Sequence, residues 1–125
     1  LIHRLNGNYP VGLVTASPEY MFKWVDERLN LSGIFKHIVY GEMTEKGKPN
    51  PEPYLLGLKL FNINAKNTMI IEDSAHGIQA GLSANAKVVA LTGSVDVKDM
   101  PPAHKIINSL NEIDANFINS LFKIL

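Results

Sequence analysis

Three short stretches of this 125-residue chain carry side chains able to do chemistry: "VGLVTAS" (11–17), "GKPNPEPY" (47–54) and "IIEDSAHGIQAG" (70–81). The first ends in hydroxyls, Thr15 and Ser17, with Ala16 between them. The second carries a cation, Lys48, followed directly by Pro49. The third places two carboxylates, Glu72 and Asp73, at the end of an apolar run. Singly, each has a plain explanation. Thr15 and Ser17 suit a helix N-cap, a lone lysine is ordinarily solvated, and Asp73 or Ser74 suits the start of a helix. A helix start accounts for one acidic residue but not for two. Adjacent carboxylates at the rim of a buried strand repel, and keeping both ionised calls for a cation. Mg²⁺ is held in this way, by one or two carboxylates together with substrate phosphate. Lys48 adds a positive charge, and unit charges ~4 Å apart interact by ~4 kcal/mol at an effective dielectric of 20.

The elements around these stretches decide whether they can meet. "VGLVTA" (11–16), "HIVYG" (37–41), "NTMII" (67–71) and "KVVALT" (87–92) are short apolar runs that predict buried strands, and "KIIN" (105–108) predicts a short edge strand. Between them lie helical patterns. The first opens with Ser17 as cap, Pro18 and Glu19, and has Met21, Phe22, Val25 and Leu29 as its apolar face. Tyr20 and Trp24 on it are read as packing. The second opens with Asn50 as cap and Pro51, with Tyr54, Leu55, Leu58 and Phe61 facing inward. The third covers 74–85 and the last 112–125. The opening "LIHRLNGN" resembles the tail of a helix, stopped at Asn6, Gly7 and Asn8.

Strands alternating with helices, joined by connections too long for hairpins, predict a parallel sheet covered by helices. The functional edge of such a sheet is at the carboxyl ends of its strands. Thr15, Lys48 and the Glu72–Asp73 pair all fall there, so a hydroxyl, a cation and two carboxylates converge on a Mg²⁺ and phosphate pocket. His76 lies in the first turn of the third helix and reads as a surface residue at the crevice. Gly77 and Gly81 weaken that helix and imply a close approach to strand or ligand. His3, His37 and His104 show no metal-ligand spacing.

Composition narrows the class. Twelve basic and twelve acidic residues cancel, which gives no reason to expect nucleic acid or a membrane surface as partner. Hydrophobic residues make up 46%, enough for one domain with a real core. The absence of cysteine fits a reducing, cytoplasmic setting. No apolar run approaches the ~20 residues of a membrane span.

The three stretches resemble the second, third and fourth motifs of the haloacid dehalogenase-like hydrolase superfamily, in the branch of phosphoglycolate phosphatases and β-phosphoglucomutases. The resemblance implies a doubly wound, Rossmann-like α/β fold with helices on both faces of a parallel sheet. It also implies phosphoryl transfer from a small phosphorylated metabolite to an aspartate and then to water. Thr15, with Ala16 and Ser17, would bind the phosphoryl group. Lys48 would neutralise it, and Glu72 and Asp73 would hold Mg²⁺, supported by Ser74, His76 and Gly77. The family's first motif, Asp-x-Asp-Gly-Thr/Ser, has no counterpart: the five aspartates (Asp26, Asp73, Asp96, Asp99, Asp114) include no pair separated by one residue. Residues 1–125 are therefore expected to form a partial core domain that lacks the central first strand and the cap. An N-terminal segment of a longer chain would supply both, and the isolated chain would be inactive. A phosphomutase of the same family and a non-catalytic phosphate-binding or signalling module are the alternatives. Receiver domains use a similar residue set, but with the acidic pair first and the Lys-Pro late.

Overall fold

Valine and alanine in succession leave a strand no polar face for water, so "VVA" belongs in the middle of a sheet. The computed structural model, which describes residues 1–5 and 7–123, places it there. Strand β4 (Lys87–Leu91) pairs in parallel with β3 (Met69–Glu72) on one side and β5 (Lys105–Ile107) on the other. Val88, Val89 and Ala90 are fully buried. A second parallel sheet consists of β1 (Gly12–Val14) and β2 (His37–Val39). The helices are α1 (Ile2–Leu5), α2 (Glu19–Leu29), α3 (Glu52–Phe61), α4 (Ala75–Ser83) and α5 (Ala115–Phe122).

Successive side chains of a strand point to opposite faces, and both faces of β4 are covered. Val88 and Ala90 join a core cluster with Tyr54 of α3 and with Ile78 and Ala80 of α4. Val89 joins Ile107, Ile118 and Leu121 on the other face, where Leu5 of α1 and Phe117 of α5 also pack. This is the doubly wound α/β arrangement expected from the sequence. At Gly81 α4 packs closely on the sheet: a Cβ there would lie 2.8 Å from Val88 Cγ2. Among the described residues, β1 hydrogen-bonds only to β2 and β3 only to β4. The sheet is thus divided between β1 and β3. No helix among them is long and apolar enough to cross a membrane.

Several local expectations are corrected. Ser17 is not the cap of α2, which begins at Glu19 behind Pro18 with no side-chain cap. Of the four residues expected on its inner face, only Phe22 is buried, against the rings of Phe35 and Tyr40. Met21, Val25 and Leu29 are exposed, and so are Tyr20 and Trp24. Strands of three residues each offer too little surface to cover an eleven-residue helix. Trp24 is instead overlaid by the Arg28 guanidinium, 4.0 Å from the ring centroid. On α3 the buried residues are Pro53, Tyr54 and Gly57, while Leu55 faces out. Pro51 takes the cap position, and Asn50 Oδ1 accepts from the Glu52 N–H (3.0 Å). The closing helix starts at Ala115, because Glu112 belongs to a separate 3-10 turn and Asp114 caps α5 by accepting from the Phe117 N–H. The helix stop assigned to Asn6 and the last two residues of the closing helix lie outside the described residues.

His104 extends the pairing of β4. Its N–H donates to the Val88 carbonyl (2.9 Å), and its Nδ1 accepts from the Val88 N–H (3.0 Å). The second bond needs neutral imidazole. Local desolvation of the ring, with Lys87 nearby, lowers the His104 pKa below its ordinary value. A histidine whose folded pKa is depressed contributes stability above its unfolded pKa, about 6.5, and loses it as pH falls through the folded value. The melting temperature should therefore decline between pH 7.5 and 5, and His104→Gln should flatten that decline. An equal decline in both proteins would show that this bond is not its cause.

Candidate active site

Where β1 ends, the Thr15 N–H still donates to the Val39 carbonyl (2.9 Å), and the chain then turns away. Thr15 Oγ1 accepts from the Ser17 N–H at 3.0 Å, which closes the turn. The loop after β2 lies against it. The Gly41 N–H donates to the Ser17 carbonyl (3.0 Å), and a Cβ on Gly41 would overlap the Ala16 carbonyl.

Lys48 is held from behind. Both oxygens of Glu52, at the start of α3, accept from the preceding loop: from the Glu45 N–H (2.9 Å) and the Lys46 N–H (3.0 Å). The Asn50 N–H donates to the Gly47 carbonyl (3.0 Å), and the Lys48–Pro49 peptide is cis. The Lys48 ammonium then reaches across the divided sheet. It donates to the Val14 carbonyl of β1 (3.2 Å) and to Glu72 Oε1 at the end of β3 (2.5 Å). Both side chains of this ion pair are largely buried, 16% exposed for Lys48 and 8% for Glu72.

The two adjacent carboxylates have different surroundings. Glu72, the last residue of β3, is buried, and Asp73, just beyond the strand, is exposed. Glu72 accepts from Lys48, from the Tyr54 hydroxyl and, through Oε2, from Ser74 Oγ (3.2 Å). Burial, and Glu72 beside it, push the Tyr54 pKa far above its ordinary value, so the phenol remains a donor. Ser74 also caps α4, accepting from the Gly77 N–H (3.0 Å). Gly77 has a steric reason to be glycine, since a Cβ there would fall on the Glu72 carboxylate. Asp73 Oδ2 accepts from Ser94 Oγ (2.7 Å), in the loop after β4.

The crevice between the sheets has a volume of about 520 Å³ and is lined by Leu13 to Ala16, Gly47, Lys48, Ile71 to Ser74 and His76. It brings together Thr15, Ala16, Lys48, Glu72, Asp73, Ser74 and His76. Ser17 and Gly77 stand behind its wall, supporting Thr15 and Glu72 respectively. The sequence does not single out Tyr54 or Ser94 as site residues. Tyr54 carries a signal only in lying within the same stretch as Lys48, whereas the Ser94 loop carries none. Among the described residues no three His, Cys, Asp or Glu side chains converge as a ready metal centre.

Residues 1–91 match the family model for haloacid dehalogenase-like hydrolases. The chain is 31% identical over 75 residues to hexitol phosphatase A of Escherichia coli, covering 60% of this chain and 35% of that protein. It is 28% identical over 107 residues to the phosphoglycolate phosphatase of the same organism, covering 83% of this chain and 42% of that one. Its fold is similar to that of a β-phosphoglucomutase from Clostridium difficile, with a TM-score of 0.82, 28% identity, and coverage of 98% of this chain and 53% of the other. The chain thus spans between about a third and about half the length of these relatives. They belong to the branch that the three motifs resemble.

Truncating one partner of a buried ion pair leaves the other charge uncompensated, at a cost of ~3–5 kcal/mol. Lys48 keeps some contact with water, so Glu72→Ala should cost about 3 kcal/mol, the lower end of that range. Gly77→Ala should also destabilise, because the Glu72 carboxylate must move to admit the methyl group. Urea unfolding measures both; a loss below about 1 kcal/mol in each would mean that this cluster is not a structural anchor.

Proposed function

Because this chain belongs to the haloacid dehalogenase-like hydrolase family, we propose that the protein is a Mg²⁺-dependent phosphohydrolase acting on a small phosphorylated metabolite, with residues 1–125 as the C-terminal part of its core domain. The observation that carries this reading is the Lys48 ammonium, held at the mouth of the crevice between Val14 and Glu72, with Thr15 and Asp73 on the same lining.

Each of these groups keeps one function unspent. An ammonium has three protons, and Lys48 commits two, leaving one for a phosphoryl oxygen. Thr15 Oγ1 accepts from Ser17, so its own proton remains to donate to an anion. Asp73 has one oxygen bonded to Ser94 and the other free for a cation. Carboxylate oxygens are the hard donors that suit Mg²⁺, and Asp73, with Glu72 beside it, is assigned to hold it. A bound Mg²⁺ would neutralise phosphoryl charge as it develops. Lys48 serves the same charge from the side of β1, and Thr15 orients the phosphoryl oxygens.

The nucleophile is assigned to a segment outside these residues, since none of the other four aspartates lines the crevice. An aspartate carboxylate there would attack phosphorus as the ester P–O bond breaks, and water would then hydrolyse the aspartyl phosphate. The free edges of β1 and β3 flanking the crevice support a further parallel strand between them as its carrier. A phosphomutase is the second reading, favoured by the likeness to β-phosphoglucomutase.

The intact protein should release phosphate from p-nitrophenyl phosphate only with Mg²⁺ present, and residues 1–125 alone should release none. Lys48→Ala should lower kcat by ~10²–10³, the usual effect of removing one charge-stabilising donor. Asp73→Asn should abolish the response to Mg²⁺. Full activity and unchanged Mg²⁺ dependence in Asp73→Asn would refute the metal assignment.

A further inference from the structure

We propose that Tyr54 is a positioning residue of this site, clamping the Lys48 ammonium and the Glu72 carboxylate together by touching both. The role rests on the phosphohydrolase reading above and adds to it a residue none of the three polar positions accounts for. Tyr54 stands in the first turn of α3 and is 7% exposed, packed in the core cluster that contains Ile70 and Ile78. Packing alone would be met by phenylalanine. A buried hydroxyl, by contrast, requires a partner. The partner here is Glu72 Oε1, the same oxygen that receives Lys48. The ring contributes separately, with Lys48 Nζ lying 5.0 Å from its centroid, within cation–π range.

The physical consequence is rigidity delivered to a flexible group. A lysine stem has many rotamers, and Lys48 comes from a loop, whereas the Tyr54 ring is fixed by the core. By holding Glu72 through the hydroxyl and the ammonium through the ring, Tyr54 fixes the direction of the one Lys48 proton left for phosphate. It also adds a third donor to Glu72, which keeps that carboxylate committed to Lys48 and leaves Asp73 as the freer of the two.

Two substitutions in the intact protein separate the contacts. Tyr54→Phe keeps the ring and removes the hydroxyl, and Tyr54→Leu removes both. Exchange of the Lys48 ammonium protons with water, followed by ¹H–¹⁵N NMR, reports the clamp without any ligand. Calorimetric titration with inorganic phosphate in Mg²⁺ reports its consequence. In Tyr54→Phe, exchange should accelerate and phosphate affinity fall, each by about tenfold, the worth of one hydrogen bond to a charged group. Both effects should be larger in Tyr54→Leu. Ile118→Val, a change in the separate core cluster on the other face of β4, should lower the melting temperature and leave both readouts unmoved. Unaltered exchange in Tyr54→Phe overturns the clamp, and faster exchange with unaltered phosphate affinity overturns its positioning role. If Tyr54→Leu does not fold, Tyr54→Phe still decides. An unsubstituted protein that binds no phosphate would instead overturn the phosphohydrolase reading, and the positioning role with it.

Discussion

A largely buried ammonium ion is the constraint on which this structure turns. Lys48 cannot leave water without partners. Those it finds lie on opposite sides of the divided sheet: the Val14 carbonyl at the free edge of β1 and the Glu72 carboxylate at the end of β3. No backbone hydrogen bond joins β1 to β3 among the described residues, so this side chain is the polar bridge between the two sheets. Much of the surrounding backbone serves it. Glu52 ties down the loop before it, Ser74 orients Glu72, and Gly77 leaves room for that carboxylate.

The end of β3 then divides the work of two neighbouring residues, Glu72 in the strand and Asp73 just beyond it. Glu72 points into the core and is committed to Lys48, Tyr54 and Ser74. Asp73 is exposed, with one bond to Ser94. Two like charges in adjacent positions are tolerable because only one needs a counter-charge from the protein. The same bridge that holds the sheets near each other leaves a lysine proton and an aspartate oxygen unspent in a single crevice. Structural cohesion and the proposed binding of a phosphate with its cation therefore draw on the same few side chains.

Surface exposure follows from the division too. The three-stranded sheet is covered on both faces, and its central strand is sealed. The β1–β2 pair is narrower, and α2 above it buries Phe22 while Tyr20, Met21, Trp24, Val25 and Leu29 remain exposed. Helical periodicity identifies a face that is apolar. Whether a neighbour covers that face depends on the width of the sheet beneath.

The sequence by itself determined the order of strands and helices, the parallel pairing and the strand ends at Thr15 and at Glu72–Asp73. Each of these is local: period-two or period-3.6 patterning, a turn rich in glycine and proline, a cap such as Ser74. It also determined that a hydroxyl, a lysine and two carboxylates share one edge, since every strand of a parallel sheet points the same way. Only the tertiary structure decided that Lys48 neutralises Glu72 and not the pair, that Tyr54 is its third partner, and that Ser94 reaches Asp73 from the loop after β4. Lys48 lies 24 residues from Glu72, and Ser94 lies 21 from Asp73. Contacts over such separations are set by which strands are neighbours and how closely α4 approaches β3, and no short-range pattern records either.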